Sequence, residues 1–190
     1  MIKDDAQAVY ENLALELRRG VLDGADYHFR QHNDGAEGIE RWEELADGPV
    51  DAGERMAQVA AWLAERDGAT LVFVRDKRTA VQMAEAIAQV AELPAAERTE
   101  GQLAALEETR ATQALRELAG AGVVFHTADL RFDEREVIEA GFDCGDLSVL
   151  VCTSTLAMGV NLPARNVVVD VRRWCSTGSG GKPMLGAIGR

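Results

Sequence analysis

The sequence predicts an α/β fold: a parallel sheet with helices on both faces, preceded by a helix-and-hairpin segment. Three observations carry that prediction. Four short and almost wholly apolar runs, "TLVFV" (70–74), "GVVFH" (122–126), "LSVLV" (147–151) and "NVVVDV" (166–171), have the length of buried strands. Amphipathic stretches of period 3.6, closed by glycine or proline, separate the first three. Strands that are apolar on both faces and alternate with helices form parallel sheets sandwiched between helix layers.

The elements follow in order. "DDAQAVYENLALELRRG" sets Val9, Leu13 and Leu17 at helical spacing, with acids first and Arg18, Arg19 and Gly20 last. "LALEL" also alternates at period two, and "VLDGADYHF" carries an Asp23-Gly24 hairpin signal. A short helix and then a hairpin are expected, as a linker segment over 1–50, with "RQHNDGAEG" (30–38) as a loop. Residues 51–190 read as one domain. Its first helix places Met56, Val59, Ala60, Trp62 and Leu63 on one face and stops at Gly68. After the strand 70–74, "DKRTAVQMAEAIAQVAEL" is a helix closed by Pro94, and 95–120 is a helical insertion. "RFDEREVIEAGFDCG" supplies the helix between the second and third strands. "STGSGG" (176–181) reads as a flexible linker, and "KPMLGAIGR" as the start of a further helix.

Bulk properties narrow the function. A chain of 190 residues suffices for one packed domain with an attached segment. The formal charge of −12 argues against a broad basic surface, so any polyanion must be held by a local cluster. Cys144, Cys152 and Cys175 form an odd set without CxxC spacing, which fits reduced thiols and neither a disulfide frame nor a metal site. The charged start "MIKDDAQ" lacks an apolar core, and no run approaches the roughly 20 apolar residues of a membrane helix. A cytoplasmic protein without a membrane partner is expected.

In an open parallel sheet, ligands collect beyond the carboxyl ends of the strands. Four polar segments fall there: "RDKRTA", "HTADLRFDERE", "TSTLAMGVNLPA" and, after the linker, "GAIGR". Each has an ordinary explanation. Arg75, Lys77 and Arg78 suit a solvated helix start, and His126 a semi-buried strand end. Thr153 and Ser154 suit turn caps, and Asp129 and Asp133 helix caps.

Their order changes the weight of each. Thr153 to Ala164 is similar, at essentially every fixed position, to motif V of the second RecA-like domain in superfamily 2 helicases. The branch it resembles is the DExH-box group of Ski-like DNA and RNA helicases, whose motif reads T-S-T-L-A-x-G-V-N-L-P-A. "TLVFVRDKRTA" resembles motif IV, "GVVFHTADLRFDERE" resembles motif IVa, and "LELRRGVLDGADYHF" resembles the stretch leading out of the first RecA-like domain. The likeness implies that Thr153 holds a backbone phosphate, with Arg75, Lys77, His126 and Arg131 flanking the same track for single-stranded DNA or RNA. Strand-end hydroxyls and main-chain N–H groups suit phosphates because they grip without reading bases. It also implies that Gly159, where the backbone turns tightly, and Asn161 face ATP. Arg190 would be the catalytic arginine that steadies charge on the transferring phosphoryl group.

Some positions depart from the family pattern. Motif VI, Q-x-x-G-R-x-x-R, is met by "PMLGAIGR", with Pro183 for the glutamine and Ala187 for the first arginine. Thr127 and Asp129 stand where motif IVa has a second histidine and a glycine. No G-x-x-x-x-G-K-[ST] loop and no D-E-x-H element occurs in the sequence. ATP and Mg2+ are therefore expected only together with a first RecA-like domain, the partner this domain would close on. The chain alone is expected not to hydrolyse ATP. The alternative is a degenerate, non-catalytic module that binds nucleic acid or a protein.

Overall fold

The structure, a computed structural model, describes residues 18–32, 34–45, 51–153, 162–169, 175–177 and 183–185. The chain divides into two compact units, Met1–Pro49 and Val50–Arg190.

In the first unit, β1 (Arg18–Asp23), β2 (Asp26–Gln31) and β3 (Glu37–Arg41) form an antiparallel sheet in that order. Gly24, at φ 62°, makes the tight β1–β2 turn that the Asp23-Gly24 signal predicts. Phe29 lies across two glycines: a Cβ on Gly38 would meet its ring at 2.7 Å. Arg18 covers the same ring at 4.6 Å and pairs with Glu40 at 3.0 Å. Those contacts draw Arg18, Arg19 and Gly20 into a strand, where helical spacing had made them a helix end. The rest of the expected helix lies outside the described residues. β3 was not expected, and it shortens the loop foreseen over 30–38, because Arg30 and Gln31 finish β2 while Glu37 and Gly38 begin β3.

The second unit alternates helices and strands: α1 (Ala52–Asp67), β4 (Thr70–Val74), α2 (Lys77–Val90), α3 (Glu97–Ala104), α4 (Arg110–Ala119), β5 (Val123–His126), α5 (Phe132–Asp143), β6 (Val149–Thr153) and β7 (Asn166–Val169). The four strands are parallel, in the order β5-β6-β4-β7, so the α/β sheet flanked by helices stands as expected. Val72, Val123, Val124, Val149, Leu150 and Val151 are fully buried, as strands covered on both faces require.

Asp51 caps α1 by accepting from the Gly53 N–H at 3.1 Å, and Gly68, at φ 85°, ends it. The buried face of α1 differs from the expected one. Ala57, Ala60, Ala61 and Ala64 carry it with Met56 and Val59, while Trp62 and Leu63 are half-buried at its margin. Small residues let α1 lie close to α2, whose Ala80 and Ala84 are also fully buried. Trp62 instead stacks under the Arg66 guanidinium at 4.6 Å.

The insertion is two helices, broken because Thr109 starts α4 with a cap to the Thr112 N–H at 3.0 Å. Ala96, just before α3, has no side chain that can cap it. Asp146 replaces it from across the fold, accepting from the Thr99 N–H at 2.8 Å and its hydroxyl at 2.7 Å.

Beyond β7, β8 (Cys175–Thr177) pairs antiparallel with β9 (Pro183–Leu185). This corrects both expectations for the tail. The linker placed at 176–181 begins inside a strand, and 183–185 is strand, not helix. Proline lacks an N–H to donate, and the first residue of a strand is where that loss is tolerated. Among the described residues no helix is long and apolar enough to cross a membrane.

A Cβ at Gly141 would lie 2.2 Å from Thr99 Oγ1, whose hydroxyl Asp146 holds in place. Gly141→Ala is therefore expected to destabilise the domain by about 1–3 kcal/mol, the usual cost of overpacking. Urea denaturation checks this, and an unchanged midpoint would show that α3 shifts freely.

Candidate functional site

Parallel register sets the site. Val74 pairs with Thr153, and Phe73 and His126 both pair with Cys152, so β4 and β6 end level and β5 one residue before them. Side chains alternate along a strand, so Thr153 shares the face of Val74 while His126 shares that of Cys152. The strand-end residues named from the sequence thus occupy one rim but two faces.

After β4 the chain turns through Arg75 and Asp76 into α2. Asp76 caps that helix, accepting from the Thr79 N–H at 2.9 Å and its hydroxyl at 3.0 Å. Those two bonds, the backbone one first, hold its carboxyl below the ordinary range. Lys77 reaches across to the next strand-end loop and pairs with Asp129. The hydrogen bond and then the charge of Asp129 raise the lysine pKa. Arg75 and Arg78 are exposed and enter no ion pair with the described residues.

Thr153 is buried at the end of β6. Ser154 to Asn161, including Gly159 and Asn161, lie outside the described residues, as does Arg190. Leu162 and Ala164 pack against the core, and the Arg165 and Asn166 N–H groups donate to the Ala69 carbonyl at 2.8 and 3.1 Å as the chain enters β7.

His126 and Arg131 have partners within the domain. His126, 5% exposed, turns its Nε2 to Glu139 of α5 at 2.7 Å. Arg131 meets Glu107 at 2.6 Å, Asp133 at 3.3 Å and Glu134 at 3.8 Å. Glu134, 1% exposed, accepts from the Arg131 N–H at 2.8 Å and the Thr109 hydroxyl at 3.2 Å. Asp133 also accepts a first-turn N–H, that of Glu134, at 3.0 Å, so it shares in the capping foreseen for it, whereas Asp129 pairs with Lys77 instead.

Residues 54–190 match the model of the helicase conserved C-terminal domain. The chain belongs to that family. It is 35% identical over 161 residues to the ATP-dependent DNA helicase Hel308 of Pyrobaculum calidifontis, covering 82% of this chain and 21% of that protein. The Hel308 of Thermoplasma acidophilum is 35% identical over 151 residues, 76% of this chain and 22% of the relative. That of Caldivirga maquilingensis is 42% identical over 122 residues, 60% and 16% respectively. The chain thus spans about a fifth of the length of these relatives.

In this helicase C-terminal domain the strand-end cations fall into two groups. Arg131 is spent on carboxylates that join the 105–109 connection to α5, whereas Arg75 and Arg78 are uncommitted. Lys77 lies between them, held by a solvent-exposed pair that competes weakly with other anions. Sequence reading missed Glu139 as a partner and Phe132 as an exposed ring. Glu139 falls one turn beyond Arg135, and nothing in its spacing announces a histidine partner. Phe132 had a signal: it is out of phase with Glu134, Ile138, Gly141 and Phe142, the buried face of α5.

The two groups should separate by stability. Arg131→Ala leaves Glu134 buried without its cation and is expected to cost roughly 1–3 kcal/mol. Arg75→Ala is expected to stay within about 0.5 kcal/mol of the parent, as for ordinary surface changes. Thermal melts of both variants check this, and equal losses would mean that Arg75 is also structural.

Proposed function

We propose that this chain is the second RecA-like domain of an ATP-dependent helicase of the Ski-like, DExH-box branch, gripping the backbone of a single strand at its strand-end rim. The observation that carries the proposal is the pair Arg75 and Arg78, free of ion pairs with the described residues, beside Thr153 on a chain of net charge −12. A clustered positive rim on an acidic protein has a polyanion as its natural ligand, since clefts concentrate the local field. The relatives named as DNA helicases favour DNA over RNA.

Within this proposal Thr153, Arg75 and Lys77 touch phosphates. His126 and Arg131 border the track, their side chains fixing the 127–131 loop through Glu139 and Glu134. Gly159, Asn161 and Arg190 would face ATP; their part rests on the motif V and motif VI resemblance. We assign the phosphate loop and Mg2+ to a first RecA-like domain, because this sequence contains no such loop. ATP bound there would supply the phosphoryl-transfer chemistry, and closure of the two domains would alter the grip on the strand.

A second reading, binding without turnover, is favoured by Pro183 and Ala187, which replace two fixed residues of motif VI. Hydrolysis by a protein carrying both domains decides between them.

Binding of a labelled 20-mer of deoxythymidine by this chain, followed through a salt titration, tests the rim. Affinity in the non-specific range, about 10⁻⁴ to 10⁻⁶ M, and a loss of binding with salt are expected. Thr153→Ala should weaken binding about fivefold, the value of one hydrogen bond, with Ser154→Ala as the milder control. Lys77→Ala should flatten the salt slope by about 0.7, the loss of one phosphate contact on a single strand. Binding that ignores salt, or an unchanged slope in Lys77→Ala, would contradict the assignment.

A further inference from the structure

We propose that Phe132 is a base-stacking platform: its ring takes the face of an unpaired nucleobase while the neighbouring cations hold the backbone. The proposal rests on the single-strand reading of the rim and adds to it the contact that recognises bases.

Phe132 is 68% exposed, the only aromatic among the exposed large apolar side chains of the described residues. The other four phenylalanines have cover. Phe125 and Phe142 are buried at 5% and 1%, and Phe29 and Phe73 are half-buried. Helix packing does not account for Phe132, because α5 turns Glu134, Ile138, Gly141 and Phe142 inward. Helix propensity does not account for it either, since an aromatic ring gains nothing at an exposed first position.

Its position is specific. Phe132 opens α5 directly after the 127–131 loop, and Asp129 of that loop carries Lys77. Phe132 thus follows the carboxyl end of β5 by six residues, beside the loop that meets the start of α2 through Lys77. Charge does not forbid a polyanion there. Asp133 is bound to Arg131 and Asp129 to Lys77, while Arg75, Arg78 and Arg135 enter no ion pair with the described residues. Glu136 is exposed one turn further along α5, away from the strand ends, so the backbone belongs on the strand-end side of the ring.

Physical chemistry fits the two halves together. Cations grip phosphates whatever the bases are, and every base has a π-face that an aromatic side chain can stack. Stacking also survives salt, which matters on an acidic protein that gains little from its overall field. Bases in a duplex are already stacked on one another, so the ring favours single strands.

The test compares this chain with Phe132→Ala and Phe132→Trp on two ligands. One is the 20-mer of deoxythymidine; the other is an abasic 20-mer that keeps the phosphates and lacks the bases. Phe132→Ala should weaken binding to the thymidine strand by about fivefold or more. Its binding to the abasic strand, its salt slope and its melting temperature should match the parent, and Phe132→Trp should retain full affinity. Unchanged thymidine binding by Phe132→Ala would overturn the proposal and leave a protein contact as the use of the ring. Equal losses on both strands would overturn it too, showing a role in fold or phosphate contact. A parent chain that binds neither strand would overturn the single-strand reading itself.

Discussion

The in-register parallel pairing of β4 with β6, and of β6 with β5, is the constraint from which the site follows. Val74 opposite Thr153, and Cys152 opposite His126, oblige three strands from distant parts of the sequence to finish within one residue of one another. A slip of one residue would turn every buried valine of a strand to its other face. Core burial therefore fixes the register, and the register fixes where the polar residues after each strand emerge. The rim is a consequence of packing hydrophobic strands between helices.

What the rim does depends on how its charges are committed. Carboxylates outnumber cations in this chain, so a cation near the strand ends meets a carboxylate unless the fold keeps it apart. Arg131 lies within reach of Glu107, Asp133 and Glu134 and is absorbed into joining α5 to the connection before α4. Asp76 turns its carboxylate to the Thr79 N–H and hydroxyl and so caps α2. Arg75 and Arg78 remain uncommitted on either side of that cap. Helix capping thus binds Asp76 to the start of α2, and the Arg75 charge adds only a smaller downward pull on its carboxyl.

The strands and helices of the second unit as far as β7 were legible because short apolar runs and 3.6-residue periodicity report burial directly. Gly68 and the Asp23-Gly24 turn were legible because glycine at positive φ has a local cause. Long-range partners were not. The β3 strand sets Gly38 under the ring of Phe29, a pairing that no window of sequence displays. The alanine face of α1 was outweighed by Trp62 and Leu63, since hydrophobicity marks large residues while close helix packing selects small ones. The break in the insertion follows from the Thr109 cap, and the cap of α3 comes from Asp146, distant in sequence. At the site, motif and order located the rim, but only the structure separated the committed Arg131 and His126 from the uncommitted Arg75.

The central claim is that a single strand lies across the carboxyl ends of β4, β5 and β6. Amide hydrogen exchange of this chain, with and without a saturating single-stranded oligonucleotide, tests it most directly. The account predicts added protection in residues 75–78 and 127–132, with little change at the amino-terminal ends of the same strands. Protection confined to those amino-terminal ends, or to the 18–41 sheet, would contradict it.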